Sequence, residues 1–157
     1  MPRRRLPVNA TPYSYRCDAA VPGFADDRPI IVFDGICAMC SAFVQFILRH
    51  DCVGTYRFIP AQSPLGRALY VHFGLDPDNY QSNILLRDGR AFLKSEGSLM
   101  IVSGLGWPWS MAAMARLLPA AWRDGLYEAI ARNRFALFGR RQTCFLPEAR
   151  FQGRFLA

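Results

Sequence analysis

The chain has 157 residues, of which 52% are hydrophobic and 20% charged, a composition typical of one compact domain rather than a disordered chain. Its formal net charge is +7, carried almost wholly by arginine because Lys94 is the only lysine. No recognisable nucleic-acid-binding module with stacking aromatics is found, so no nucleic-acid partner is expected. A basic surface leaves open a peripheral contact with anionic lipid.

The number of cysteines favours a reducing compartment. There are five, an odd number, whereas small secreted domains usually carry an even set of disulfide-forming cysteines. The first thirty residues contain no apolar stretch of the length that a secretory signal needs. We therefore predict a cytoplasmic protein, in which a Cys-x-x-Cys pair is redox-active or metal-binding. The five are Cys17, Cys37, Cys40, Cys52 and Cys144.

The beginning of the chain differs from the remainder. Residues 1–28 contain four prolines and no sustained hydrophobic period, which predicts a basic N-terminal tail, either poorly ordered or lying extended on the domain. Residues 29–157 are predicted to form one domain. The apolar run at 30–33 is typical of a buried parallel strand. Apolar residues then recur at helical spacing to about residue 50, and the helix should end by Gly54.

The middle of the chain continues the alternation of strands and helices. Residues 55–59 alternate like a strand, and residues 64–73 follow Ser63 and Pro64 like a short helix. Residues 83–93 contain Asp88-Gly89 between two apolar runs, which predicts a hairpin. The order β-α-β-α-β-β predicts an α/β fold: a thioredoxin-like mixed sheet flanked by helices, with additional C-terminal helices.

The weakly charged stretch at 97–118 raises the alternative of a membrane span. Its glycines and Pro108, and a length below the roughly 20 apolar residues that a span needs, favour two helices joined by a loop. These are predicted near 97–104 and 109–118. A last helix is predicted over 121–138, ending at Gly139.

The most informative feature is the pair Cys37 and Cys40, which follows the first strand and opens the first helix. Residues i and i+3 of a helix lie on one face, so the two thiols are placed to form a disulfide. The first thiol would lie among free backbone N–H groups at the positive end of the helix dipole, which stabilises the reactive thiolate. We predict a redox-active disulfide, with Cys37 as the nucleophile and Cys40 as the resolving thiol.

Asp34, three residues before Cys37, has two interpretations. Its carboxylate could accept backbone N–H bonds as a cap or turn residue, or it could act as a general base that takes the proton of Cys40. The first is favoured. Gly35 would allow a tight turn into the helix.

The sequence resembles the DCC family of predicted thiol–disulfide oxidoreductases, named for its Asp…Cys…Cys motif, over roughly residues 29–150. The resemblance is carried by FDGICAMCS at 33–41, FIP at 58–60, Asp88-Gly89 and the distal block from Tyr127 to Cys144, which includes Arg132-Asn133-Arg134 and Phe138-Gly139. It implies a thioredoxin-like domain with a dithiol–disulfide site at Cys37 and Cys40, but little about the substrate. We expect a protein or small-molecule thiol or disulfide as the substrate, and no cofactor. Thioredoxins have a cis-proline before the third strand; residues 80–83 contain no proline, which favours a narrower choice of partner.

Alternatives for the remaining candidate residues stay open. A zinc site formed by Cys37, Cys40, His50 and Cys52 is disfavoured, since a helix rising about 1.5 Å per residue places His50 about 20 Å from Cys37. A set that uses Cys144 and His72 instead is not excluded, nor is a non-enzymatic interaction module. Cys144 is either a third redox thiol or a small buried residue. Arg132 and Arg134 either contact a substrate or partner, or they form surface ion pairs or pack through their aliphatic stems.

Overall fold

The computed structural model describes residues 11–80 and 82–156, which form a four-stranded sheet flanked by helices. The strands are β1 (Ile30–Phe33), β2 (Arg57–Pro60), β3 (Ile84–Arg87) and β4 (Arg90–Leu93). The α-helices are α1 (Ala38–His50), α2 (Pro64–His72), α3 (Lys94–Ser103) and α4 (Ala120–Phe138). Short 3-10 helices cover Ser14–Cys17, Trp109–Leu117 and Ala149–Arg154.

The strand order across the sheet is β2-β1-β3-β4. β1 pairs in parallel with β2, and β3 pairs antiparallel with both β1 and β4. The parallel pair is joined by α1, and the antiparallel pair by the tight turn at Asp88 and Gly89. This confirms the predicted α/β, thioredoxin-like sheet with helices on both faces and additional C-terminal helices.

The central strand β1 is buried on both faces, which explains its unbroken apolar sequence. Ile30 and Val32 pack on one side of the sheet with α2 and with the residues that precede β1. Ile31 and Phe33 pack on the other side with α1 and α3. The site described below lies where β1 ends and α1 begins, so it is anchored in both halves of the core.

Residues 11–28 of the predicted tail lie on the domain. Tyr15 is 2% exposed and packs against Phe24 and Phe73, with ring centroids 5.3 Å and 6.4 Å away. His72 in α2 hydrogen-bonds to Ser14 and Asp18. Residues 1–10 lie outside the described residues, and the division of the chain at residue 28 stays a prediction.

The element boundaries agree with the predicted ones to within a few residues, apart from the second element of the 97–118 stretch. Residues Trp109–Leu117 form a 3-10 helix rather than an α-helix, and none of its residues is buried. Of the helices in the described part of the chain, none combines the length and apolarity needed to cross a bilayer.

Candidate active site

The two cysteines lie at the turn from β1 into α1. Cys37 is the N-cap of α1, in extended backbone conformation with φ −71° and ψ 121°. Its Sγ accepts a hydrogen bond from the backbone N–H of Cys40 at 3.4 Å, as a serine or aspartate cap would. Sequence reasoning placed the helix start near Cys37, and the cap geometry adds that the sulfur itself receives one of the free N–H groups.

No disulfide joins Cys37 and Cys40 in this structure, and both side chains are buried: Cys37 is 0% exposed and Cys40 is 5% exposed. The thiol of Cys40 donates to the sulfur of Cys37, and this bond, with the backbone N–H of Cys40 and the charge of Arg134, lowers the pKa of Cys37 from 9.0 to about 6. Burial and Asp34 oppose that shift. The bond to Cys37 and burial raise the pKa of Cys40 well above its ordinary value. The two shifts have opposite directions, and both favour ionisation of Cys37 before Cys40.

Asp34 organises the loop between β1 and α1. Its Oδ1 accepts the backbone N–H of Ile36 at 3.0 Å and the side-chain amide of Gln62 at 2.6 Å. Asp34 is therefore a turn residue that accepts a backbone hydrogen bond, as the favoured prediction states. The N-cap of α1 is Cys37 rather than Asp34. Gln62 also accepts the N–H of Gly35 at 3.0 Å. It thereby ties the end of β2 to this loop.

Arg134 provides the countercharge to Asp34. Its Nη2 lies 3.4 Å from Asp34 Oδ2, and both side chains are at most 4% exposed. A second nitrogen, Nη1, donates to the carbonyl of Ala131 one turn earlier in α4, and the guanidinium lies over the ring of Phe135. The alternative of a surface ion pair, raised from the sequence, is thus wrong for Arg134: the pair is buried beside the thiols.

Residues 140–145, here called the C-terminal strap, pair with the loop that carries the motif. Arg140 forms an antiparallel bridge with Cys37, and the N–H of Arg141 donates to the carbonyl of Ile36 at 2.7 Å. The N–H of Phe145 donates to the carbonyl of Gly35 at 2.9 Å. The backbone around the nucleophile is therefore shared between the start of α1 and the strap.

Cys144 lies in the strap, close to the turn at Gly35. A Cβ added to Gly35 would meet Cys144 Sγ at 2.6 Å, which explains why glycine stands there. Burial raises the pKa of the Cys144 thiol. That direction is opposite to the thiolate stabilisation expected from the neighbouring arginines, although Arg141 acts in the expected sense. The role of Cys144 as a third redox thiol stays a prediction.

A cavity of about 240 Å³ opens beside Cys40, between α1, α3 and α4. Its walls are mainly apolar and aromatic, with Arg134 as the charged side chain among them. They include Met39, Phe43, Tyr127, Ile130 and Ala131. Cys40 lines this cavity and Cys37 does not.

The other candidate residues lie apart from the thiols. His72 is engaged with Ser14 and Asp18, and His50 packs against Phe46 and Trp109. Within residues 11–80 and 82–156, no three His, Cys, Asp or Glu side chains are grouped closely enough to hold a metal ion. Arg132 is exposed and lines a different cavity, with Glu128.

Sequence reasoning missed Gln62, and it missed the pairing with Asp34 of Arg134, which it had named as a candidate contact residue. Gln62 follows β2 in a segment without a motif, and its contacts with Asp34 and Gly35 span more than 25 positions. The pairing of Arg134 with Asp34 spans 100 positions. A buried acidic residue beside a dithiol needs a countercharge, but nothing local indicated which of the nineteen basic residues provides it.

A buried dithiol at the N-terminus of the first helix of a thioredoxin-like domain defines a class of thiol–disulfide proteins. The family model of the DCC1-like thiol-disulfide oxidoreductases matches residues 31–140, and the chain belongs to that family. A Bacillus subtilis relative named uncharacterized protein YuxK is 34% identical over 127 residues, 81% of this chain and 93% of the relative. A DCC family protein of Arabidopsis thaliana, described as chloroplastic, is 38% identical over 122 residues, 77% of this chain and 71% of the relative. No solved structure matches significantly.

Proposed function

We propose that this protein is a thiol–disulfide oxidoreductase that cycles Cys37 and Cys40 between dithiol and disulfide. The observation that carries the proposal is the position of Cys37 as the cap of α1, where its sulfur accepts the N–H of Cys40. This position stabilises a thiolate, which is the attacking species in disulfide exchange. Membership in a family named for this chemistry supports it.

The proposed reaction has two steps. The Cys37 thiolate attacks one sulfur of a substrate disulfide, which forms a mixed disulfide and releases the other substrate sulfur as a thiolate. Cys40 then gives up its proton to that thiolate and attacks Cys37 Sγ. The Cys37–Cys40 disulfide forms, the first substrate sulfur leaves, and two electrons have passed from protein to substrate.

Asp34 is proposed as a positioning residue in this cycle. Its Oδ1 holds the turn through Ile36 and Gln62, and its Oδ2 holds Arg134. Asp34 opposes ionisation of Cys37 and Arg134 favours it, so Arg134 offsets part of the effect of Asp34 on the thiolate. The released substrate thiolate accepts the Cys40 proton, so Asp34 need not act as a base.

The first step also requires access to the Cys37 sulfur, which is fully buried. The strap is held to the motif loop by the backbone hydrogen bonds of Arg141 and Phe145. We propose that a substrate displaces the strap from Cys37 before attack. An approach that needs such a displacement favours a specific partner over general reduction of disulfides.

Trapping of the mixed disulfide tests the proposal. A Cys40→Ser variant cannot resolve the intermediate, so it should accumulate mixed disulfides with a model disulfide through Cys37. The Cys37→Ser variant is the matched control. With oxidised glutathione, a charged and polar disulfide that does not suit the apolar cavity beside Cys40, it should capture nothing at residue 40. If Cys37 of the Cys40→Ser variant stays a free thiol under conditions in which a small-molecule dithiol reacts with the same model disulfide, Cys37 is not the nucleophile.

A further inference from the structure

The cavity beside Cys40 offers a small molecule a route to Cys40 that does not pass Cys37. Cys40 forms part of the cavity wall, whereas Cys37 has no exposed surface and faces the strap through its backbone. A small molecule that enters between α1 and α4 therefore meets Cys40 rather than Cys37. A ligand that reacted there would use a route different from that of a partner that displaces the strap.

The walls of the cavity indicate an uncharged ligand with an apolar body. Met39, Phe43 and Ile130 supply apolar surface, so burying a polar or charged body against them is unfavourable. Arg134 is the charged side chain in the wall, and its charge is already balanced by Asp34. An anionic ligand would be buried without a countercharge of its own.

Arg134 also indicates a hydrogen-bond acceptor on the ligand. Among the side chains of the described residues, its Nε is the buried nitrogen that lacks a hydrogen-bond partner, while Nη1 and Nη2 are engaged. A buried N–H without a partner is unfavourable. A shift of the Arg134 side chain that exposes Nε to the cavity would let a carbonyl oxygen of a bound molecule satisfy it without adding charge.

We propose that this cavity binds a small uncharged dithiol with an apolar body and a carbonyl oxygen, and that this molecule reduces the Cys37–Cys40 disulfide by attacking Cys40. The inference rests on the proposed function, since it supplies the return half of the same cycle. The proposed ligand is the molecule that reduces the protein, not the disulfide that the protein reduces.

The proposed step balances within the two molecules. One thiolate of the ligand attacks Cys40 Sγ and displaces Cys37 as a thiolate, which is the better leaving group because its thiolate is the more stabilised of the two. The second ligand thiol then attacks the ligand sulfur of the mixed disulfide and displaces Cys40, which takes up the proton. The protein disulfide becomes a dithiol, and the ligand dithiol becomes a cyclic disulfide.

The first test measures the rate at which oxidised protein is reduced by dihydrolipoamide, an uncharged apolar dithiol with an amide carbonyl. The Ile130→Trp variant fills the cavity, and Leu126→Trp places the same side chain one turn away on exposed surface. We expect Ile130→Trp to slow this reaction about tenfold or more and Leu126→Trp to change it less than about twofold. Reduction by glutathione, which is charged and polar, should be unchanged in both. The proposal would be overturned if the two variants slowed reduction by dihydrolipoamide equally. It would also be overturned if Ile130→Trp slowed reduction by glutathione as much as reduction by dihydrolipoamide.

The second test locates the attacked sulfur. Oxidised protein is treated with 8-sulfanyloctanamide, a monothiol of the same shape, and the released protein thiol is alkylated at once and located by peptide mass spectrometry. The proposal predicts the adduct on Cys40 and the alkyl group on Cys37; the reverse placement would contradict it. Glutathione treatment in parallel separates the two hypotheses, because oxidised protein that glutathione reduces at Cys37–Cys40 retains the proposed function even when the cavity proposal fails.

Discussion

Asp34 and Arg134, one hundred positions apart in the chain, form a buried ion pair beside the two thiols. The pair joins the loop after β1 to α4, and so ties the N-terminal half of the domain to its C-terminal helix. Arg134 also lines the cavity next to Cys40. The same contact therefore connects two distant parts of the fold, places two opposite charges near Cys37 and forms part of the cavity wall.

Removing one partner of this ion pair should destabilise the fold strongly. Asp34→Asn keeps the size of the side chain but leaves the buried guanidinium without a countercharge, so the free energy of unfolding should fall by about 3–5 kcal/mol. Urea unfolding measures this. The double variant Asp34→Asn with Arg134→Met removes both charges and should recover part of the loss. Purely additive losses would show that the two side chains do not interact.

The reactivity of Cys37 should follow the ionisation of its thiol. Because its pKa is lowered to about 6, the rate of alkylation by iodoacetamide should rise with pH and reach half of its plateau near pH 6. Cys40→Ala removes the thiol that donates to Cys37, so the half-maximal pH should move upward, towards the ordinary value for cysteine. Peptide mass spectrometry restricts the measurement to Cys37. An unchanged profile in Cys40→Ala would contradict the proposed hydrogen bond.

A methyl group at position 35 should loosen the strap. The added Cβ would lie 2.6 Å from Cys144 Sγ, so Gly35→Ala should lower the free energy of unfolding by about 1–3 kcal/mol and increase the rate at which Cys37 is alkylated. Cys144→Ala removes the contacted sulfur and should restore much of both properties in the double variant. Thermal unfolding and alkylation rates test the two effects. A double variant no better than Gly35→Ala would place the clash elsewhere.

The residues before β1 should contribute to stability. Tyr15→Ala removes a side chain that is 2% exposed and packed on Phe24 and Phe73, with an expected loss of about 3–5 kcal/mol. Cys17→Ser, two positions later on exposed surface, is the matched control and should change stability by less than about 0.5 kcal/mol. Denaturant unfolding compares the two variants. Equal stability of both would mean that residues 11–28 do not dock in solution.

Local patterns predicted the part of the site that is local in sequence. The apolar run of β1, the helical spacing in α1 and the two cysteines between them lie within about twenty residues, and their geometry follows from strand and helix periodicity. The hairpin at Asp88 and Gly89 follows from turn chemistry in the same way.

Long-range contacts account for what the sequence did not reveal. Gln62 and Arg134 reach Asp34 only because β2 and α4 pack beside the motif loop, and neither carries a local signal for that contact. The 3-10 conformation of Trp109–Leu117 was also missed, because the apolar residues of this segment suggest an α-helix. None of these residues is buried, so no packing stabilises an α-helix there.

The equilibrium of the wild-type protein with glutathione redox buffers tests the central claim most directly. Protein is equilibrated at a series of ratios of reduced to oxidised glutathione, quenched with acid, alkylated and analysed by peptide mass spectrometry. We predict one two-electron transition in which Cys37 and Cys40 become linked while Cys17, Cys52 and Cys144 stay alkylated. A Cys37–Cys40 pair that stays reduced in every buffer, or oxidation that links other cysteines instead, would contradict the account.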